Sequence, residues 1–305
     1  HRDLHSFPTR RSSDLINISN PSNPTIVGQC DTFGDAMGIA VSGGIVYVLN
    51  GAGSQPYFRA INVSNPSNPV VIGSCNTGNV GNDISISGNI AYINNHLMGI
   101  QCINISDPTY PTIIGSWSDG GNNNIQDLEV NGNILYLAYY GSGLKCVNIS
   151  NPTNPIFISS KPIGVKSNIY GVSIAGLYAY VAADDEGFFS VDIRNPNSCV
   201  VLGNVPTPVP EAAVHVSISG NIAFNAINNK GVQIINISNP IQPSIIHTVD
   251  TPGVASHIAL YGNIVCVSDN FEGLQCISGC NYIEPNYRST YDSNAAAAQI
   301  GREHV

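Results

Sequence analysis

The chain has 305 residues, a net charge of −9 and only 11 lysines and arginines. Phosphate binding needs clustered cations, so this composition argues against a nucleic-acid partner. The apolar runs are all strand-sized, which predicts no membrane-spanning helix. Hydrophobic residues make up 43%, ample for a core, while charged residues are 10% against about 25% in ordinary domains, so Asn, Ser, Thr and Gly must cover the surface.

From the N-terminus, residues 5–15 (His5-Ser-Phe-Pro-Thr-Arg-Arg-Ser-Ser-Asp-Leu15) resemble a translated sequencing adapter, and Ile300 to Val305 resemble read-through of the opposite adapter. Residues 1–14 are therefore expected to form a non-native or disordered leader, and residues 280–305 a disordered tail. Arg10 and Arg11 are not read as a targeting signal. The propeller proper is expected over residues 15–279, and the natural protein is expected to continue upstream.

Two markers then recur. Asn-Ile-Ser-Asn-Pro, or a close variant, ends at Pro21, Pro66, Pro108, Pro152, Pro196 and Pro240. An alternating segment closed by Gly appears as Ile39-Ala-Val-Ser-Gly43, Ile84-Ser-Ile-Ser-Gly88, Leu128-Glu-Val-Asn-Gly132, Val172-Ser-Ile-Ala-Gly176, Val216-Ser-Ile-Ser-Gly220 and Ile258-Ala-Leu-Tyr-Gly262. The period is about 44 residues. In the second repeat the spacing predicts strands over 84–87, 90–94, 99–106 and 111–117, with a tight hairpin at Gly88-Asn89. Four short antiparallel strands at this period make a propeller blade. The prediction is an all-β, six-bladed β-propeller with four strands per blade and almost no helix. Inner strands should start at residues 38, 83, 127, 171, 215 and 257.

The sixth blade runs to Ile277 and lacks an outer strand, while 24–30 supplies one at the other end. The N-terminal outer strand is thus expected to close the ring and remove exposed edges. Residues 15–19 become a surplus third strand that competes with 273–277 for one slot.

The repeat resembles the LVIVD repeat. Ser190-Val-Asp-Ile-Arg-Asn-Pro196 keeps the Asp of that pattern, and Ser219-Gly-Asn-Ile-Ala223 and Ala179-Tyr-Val-Ala-Ala183 match its second half. The other copies carry Asn17, Asn62, Asn104, Asn148 and Asn236 in place of the Asp. The resemblance covers roughly residues 15–277. It implies a propeller from bacterial or archaeal surface proteins, with no catalytic motif to carry over.

Those five Asn residues also sit in N-glycosylation acceptor patterns. Their fixed repeat position favours the other reading, a strand-end turn in which the side chain bonds local backbone. Cys102, Cys146 and Cys276 share a column with Ala60, Ser190 and Ile234, and read as buried packing groups. Cys30 and Cys75 share an outer-strand column. Cys276 and Cys280 are close enough in sequence for a local disulfide. Asp184-Asp185-Glu186, the densest acidic run, reads as a solvated loop rather than a calcium loop.

The column before each inner strand holds Gly38, Asp83, Asp127, Gly171, His215 and His257, flanked by Asn82 and Gln126. In a closed propeller it rings one mouth of the central channel. Asp83, Asp127, His215 and His257 are candidate ligands for one divalent metal. The competing reading, which the sequence favours, is that they bond neighbouring backbone amides. No other cofactor is implied. The functional expectation is a non-enzymatic interaction or surface-display propeller: a monomer outside the cell with a protein or glycan ligand. The alternatives are a metal-dependent hydrolase or lactonase-like propeller using the channel mouth, and a structural fragment of a larger surface protein.

Overall fold

The computed structural model describes residues 12–277 except 33, 35, 51–56, 96–97 and 121–123. Leader residues 1–11, the tail 280–305 and Cys280 lie outside the described residues. The architecture is a six-bladed β-propeller. The first blade holds β3 (Ala36–Ser42), β4 (Ile45–Asn50), β5 (Tyr57–Asn62) and β6 (Val70–Asn76). The second is β7 (Ile84–Ser87), β8 (Ile90–Asn95), β9 (Gly99–Asn104) and β10 (Thr112–Trp117). The third is β11 (Ile125–Asn131), β12 (Ile134–Tyr139), β13 (Gly143–Asn148) and β14 (Ile156–Lys161). The fourth is β15 (Gly171–Ala175), β16 (Tyr178–Ala183), β17 (Gly187–Asp192) and β18 (Val200–Val205). The fifth is β19 (His215–Ser219), β20 (Ile222–Ala226), β21 (Val232–Asn236) and β22 (Ser244–Val249). The sixth holds β23 (His257–Tyr261), β24 (Ile264–Ser268) and β25 (Leu274–Ile277), and the N-terminal hairpin is β1 (Ser12–Asn17) with β2 (Thr25–Asp31). All pairings are antiparallel, and Asn270–Glu272 makes one 3-10 turn.

The local chemistry explains these elements. At Ser87-Gly88-Asn89-Ile90 the two strands register directly, Ser87 opposite Ile90, with Gly88 at φ 57. Gly at the first central position of a two-residue loop matches the twist of the strands. The second and third strands of each blade are buried on both faces, so they read as continuous apolar runs such as Ile45–Asn50. Packed faces of adjacent blades form the core, and Phe58, Phe188 and Phe224 are fully buried within it.

The Asn-Ile-Ser-Asn-Pro string makes two successive side-chain turns. Asn148 Oδ1 accepts from Ser150 N (2.9 Å), and Asn151 Oδ1 from Thr153 N (3.2 Å). Asn17, Asn62, Asn104 and Asn236 repeat the first bond on Ser19, Ser64, Ser106 and Ser238. Asp192 makes it to Arg194 N (3.0 Å). One acceptor oxygen is what the position needs, so Asn serves where the repeat pattern carries Asp. Asn148→Ala is expected to cost about 1 kcal/mol in urea unfolding, while Asn148→Asp stays within about 0.5 kcal/mol of the parent; equal losses for both would refute this role.

A glycine within the outer strand meets the proline turn of the next repeat across the blade interface. A Cβ built on Gly115 of β10 would lie 2.2 Å from the carbonyl oxygen of Pro152 in the next blade. Gly28 meets Pro66 and Gly73 meets Pro108 in the same way. The third blade has Ser159 there, and its Oγ donates to the Pro196 carbonyl (2.5 Å). The joint between blades is therefore built from the proline turn of one repeat and a small residue in the outer strand of the repeat before it.

The ends differ from expectation in two details. β1 begins at Ser12, so Ser12, Ser13 and Asp14, assigned to the leader, pair with Asp31, Cys30 and Gln29. Leu15 is buried against Val41, Val46 and Val48 of the first blade. In addition, β2 takes the outer-strand place before the first blade, as Gly28 shows, but its hydrogen-bonded neighbour is β1, and the sixth sheet has three strands. The physical reason is loop length: a short turn joins β1 to β2, whereas β25 is more than 240 residues away in sequence. The local partner has the smaller closure entropy to overcome.

Candidate functional site: the channel mouth

Strand alternation points every second residue of the inner strands at the channel axis. Three side chains of the column before the inner strands, those of Asp83, Asp127 and His215, act as inter-blade braces. Asp83 Oδ2 accepts from Leu128 N of the next blade (3.0 Å). Asp127 Oδ2 accepts from Val172 N of the blade after it (2.8 Å), and its Oδ1 takes Leu128 N (2.8 Å). His215 Nδ1 accepts from Ile258 N of the sixth blade (3.3 Å), which selects the tautomer protonated at Nε2. Each side chain thus ties its blade to the backbone one residue past the same column in the next. The glycines fit where there is no room: a Cβ on Gly38 would meet Asp83 Cα at 2.8 Å, and one on Gly171 would meet His215 Cα at 2.9 Å.

The four candidate ligands meet as two neighbouring pairs. Asp83 and Asp127 share Leu128 N, and the His215 and His257 rings lie 4.8 Å apart at 45°. Among the described residues, no group of three or more His, Cys, Asp or Glu converges to hold a metal ion. Asn82 is buried and its backbone N–H bonds Asn94 Oδ1 (2.5 Å). Gln126 Nε2 donates to Asn124 Oδ1 (2.6 Å).

One residue of the channel escaped the sequence reading. Glu129 lies two residues past Asp127, on the same face of β11, where Ser85, Ser173 and Ser217 stand in other blades. Its Oε2 accepts from Ile174 N (2.9 Å). Burial, helped by the charge of Asp83, pushes its carboxyl up to about 8, against the bonds from Ile174 and Ser173. It keeps some contact with channel solvent yet is walled in by protein on nearly every side. The period-two pattern of Leu128-Glu-Val was the signal that would have found it.

At the same mouth, the loops of the third and fourth blades bring an aromatic pair together. Tyr140 is 37% exposed, and its ring meets Tyr170 edge-on, centroids 5.5 Å apart at 67°. Tyr140 N donates to the Asn124 carbonyl (2.9 Å), and Tyr170 precedes Gly171 of the mouth column. Asn168 Nδ2 donates to Asp184 Oδ2 (3.3 Å) beside them. Burial, then the nearby Asp184 and Tyr140, pushes the Tyr170 phenol up to about 12, so it stays a neutral donor at physiological pH. The other ring stacks are spent internally: Tyr47–Phe58 and Tyr180–Phe188 within blades, and Trp117–Phe157 between the outer strands β10 and β14.

The rest of the acidic run is a clamp. Glu186 accepts from Val165 N (2.5 Å) and Lys166 N (2.6 Å), and Lys166 pairs with Asp185. A neighbouring clamp joins Asp119 Oδ2 to Lys145 Nζ (2.6 Å) and to the Tyr139 hydroxyl (2.9 Å), with the ammonium 3.5 Å over the Tyr139 ring.

These features define a rigid, repeat-built propeller whose polar mouth is mostly committed to holding blades together. The LVIVD repeat profile matches seven segments, residues 14–32, 33–77, 79–119, 123–161, 169–207, 212–251 and 252–277, so the chain belongs to the LVIVD-repeat family. No curated protein matches the chain. Among solved structures, a protein from Lactobacillus plantarum is similar at TM-score 0.72 and 13% identity, over 86% of this chain and 89% of its own. A functionally unknown protein from Desulfotomaculum acetoxidans DSM 771 follows at 0.69 and 15%, over 86% and 90%. The β-propeller domain of Cps50 (Swd1) from Myceliophteria thermophila gives 0.66 and 11%, over 83% and 86%. At these identities the likeness is one of fold.

Proposed function

We propose that the protein is a non-enzymatic binding propeller, displayed outside the cell, that holds a glycan at the channel mouth beside Tyr140 and Tyr170. The observation that carries this reading is the aromatic pair set among Asn124, Gln126, Asn168 and Asp184. Edge-on packing leaves a face of one ring uncovered by the other, which suits the apolar C–H face of a pyranose. Amides and a carboxylate on a rigid scaffold offer donors and acceptors for its hydroxyls. The scarcity of surface charge fits a neutral ligand. The channel carboxylates are engaged by backbone amides, which favours a structural role for them over hydrolysis.

The test is calorimetric titration and array binding with neutral oligosaccharides. A binding oligosaccharide is expected, with Tyr140→Ala and Tyr170→Ala each weakening it about tenfold or more while the melting temperature changes little. Array-wide silence from a folded protein, or affinity indifferent to both substitutions, would overturn the site; capture of a protein ligand instead would move the function to another class. Turnover of an ester or lactone with calcium or zinc present, lost in Glu129→Gln, would favour the hydrolase alternative.

A further inference from the structure

In five turns of the repeat the residue three after the Asn-Pro proline is again proline: Pro24, Pro69, Pro111, Pro155 and Pro243. This second proline faces the preceding blade. Pro69 Cδ lies 3.1 Å from a Cβ built on Gly28, and Pro243 Cδ lies 2.7 Å from one built on Gly203. The fourth blade alone departs from the rule and carries Cys199 there. The residue that Cys199 meets across the joint is Cys146 of β13, Sγ to Sγ 3.7 Å. Both side chains are buried, at 5% and 0% exposure, in one apolar cluster. A single departure from the repeat, Cys199, therefore places its thiol against the thiol that Cys146 brings from a column often filled by Cys, at one joint between blades.

We infer that Cys146 and Cys199 are an oxidation site and form a disulfide that bolts the third blade to the fourth when the protein folds in an oxidising compartment. The sulfurs need approach by about 1.7 Å to reach bonding distance, a shift that side-chain rotation at two residues can share. In the reaction the two thiols give up two protons and two electrons. A disulfide of low molecular weight, such as oxidised glutathione, or the disulfide of an oxidoreductase accepts them and leaves as two thiols. Because both sulfurs are buried in the folded blade pair, exchange takes place while the blades dock, and the finished bond is shielded from reductant.

Refolding the full chain with a mixture of oxidised and reduced glutathione tests this. After denaturation without reductant, Cys146 and Cys199 should resist iodoacetamide and be recovered as one linked peptide pair, and dithiothreitol should free both. The oxidised protein should melt about 5 °C above its reduced form. Cys199→Pro, which restores the residue the other turns use, should fold and lose that reductant-dependent difference. Full alkylation of Cys146 and Cys199 in the oxidised protein would overturn the inference. So would a bond mapped only between Cys266 and Cys276, which face each other across β24 and β25, or a reductant-dependent shift that persists in Cys199→Pro.

Discussion

Gly115→Val is expected to lower the melting temperature by about 8 °C or more, and Gly115→Ser, which adds the same Cβ, to lower it as well but by less. The Cβ added at Gly115 would sit 2.2 Å from Pro152 O and 2.8 Å from Thr153 Cα, all of it backbone belonging to the next blade. No side-chain rotation relieves that contact, so the blades must separate. Overpacking of this kind typically costs about 1–3 kcal/mol, and more when the obstacle is rigid. For a chain of this size each kcal/mol moves the midpoint by about 2–4 °C. Serine is the milder change because it adds no methyl groups to that Cβ and its hydroxyl can donate to the facing carbonyl, as Ser159 does to Pro196 at the next joint. Differential scanning calorimetry decides the matter, and a valine variant that melts with the parent would remove this joint from the account of stability.

That joint marks the boundary of what was legible in the sequence. Within a repeat, Ile84-Ser-Ile-Ser-Gly88 announced a strand and its turn, and the structure places β7 over those four strand residues. The six-fold count and the LVIVD pattern followed from the same local regularity. Contacts between repeats were harder to see. Gly115 and Pro152 lie in different repeats, and nothing in their spacing says that they touch until the angle between blades is known. The mouth column was located, but its role depended on the reach of Asp127 to Val172 N, a distance only the packed ring provides. Tyr140 and Tyr170 come from loops of two blades, and no motif joins them. At the N-terminus, resemblance to an adapter drew the boundary at residue 15, whereas hydrogen bonding to β2 carries the strand back to Ser12.

Glu129 should make stability fall as pH rises between about pH 5 and 8, and Glu129→Gln should remove that part of the dependence. The sign follows from the direction of the shift. In the unfolded chain this carboxyl ionises near the ordinary 4.5, whereas in the channel it is pushed up to about 8 by burial. The folded state therefore binds the extra proton across that window, and its stability is fully present below the unfolded value and declines as pH rises through the folded one. Each unit crossed costs at most about 1.4 kcal/mol, and channel solvent reduces the full sum. Glutamine keeps an oxygen for Ile174 N but has no charge to bury. By pH 8.5 the variant is expected to melt about 5 °C above the parent, while at pH 4.5 the two should nearly coincide. His215 and His257 are present in both proteins, so whatever they contribute cancels in the comparison. Urea or thermal midpoints measured at unit pH steps supply the test, and parallel profiles for the two proteins would show that Glu129 is ionised in the folded channel at neutral pH.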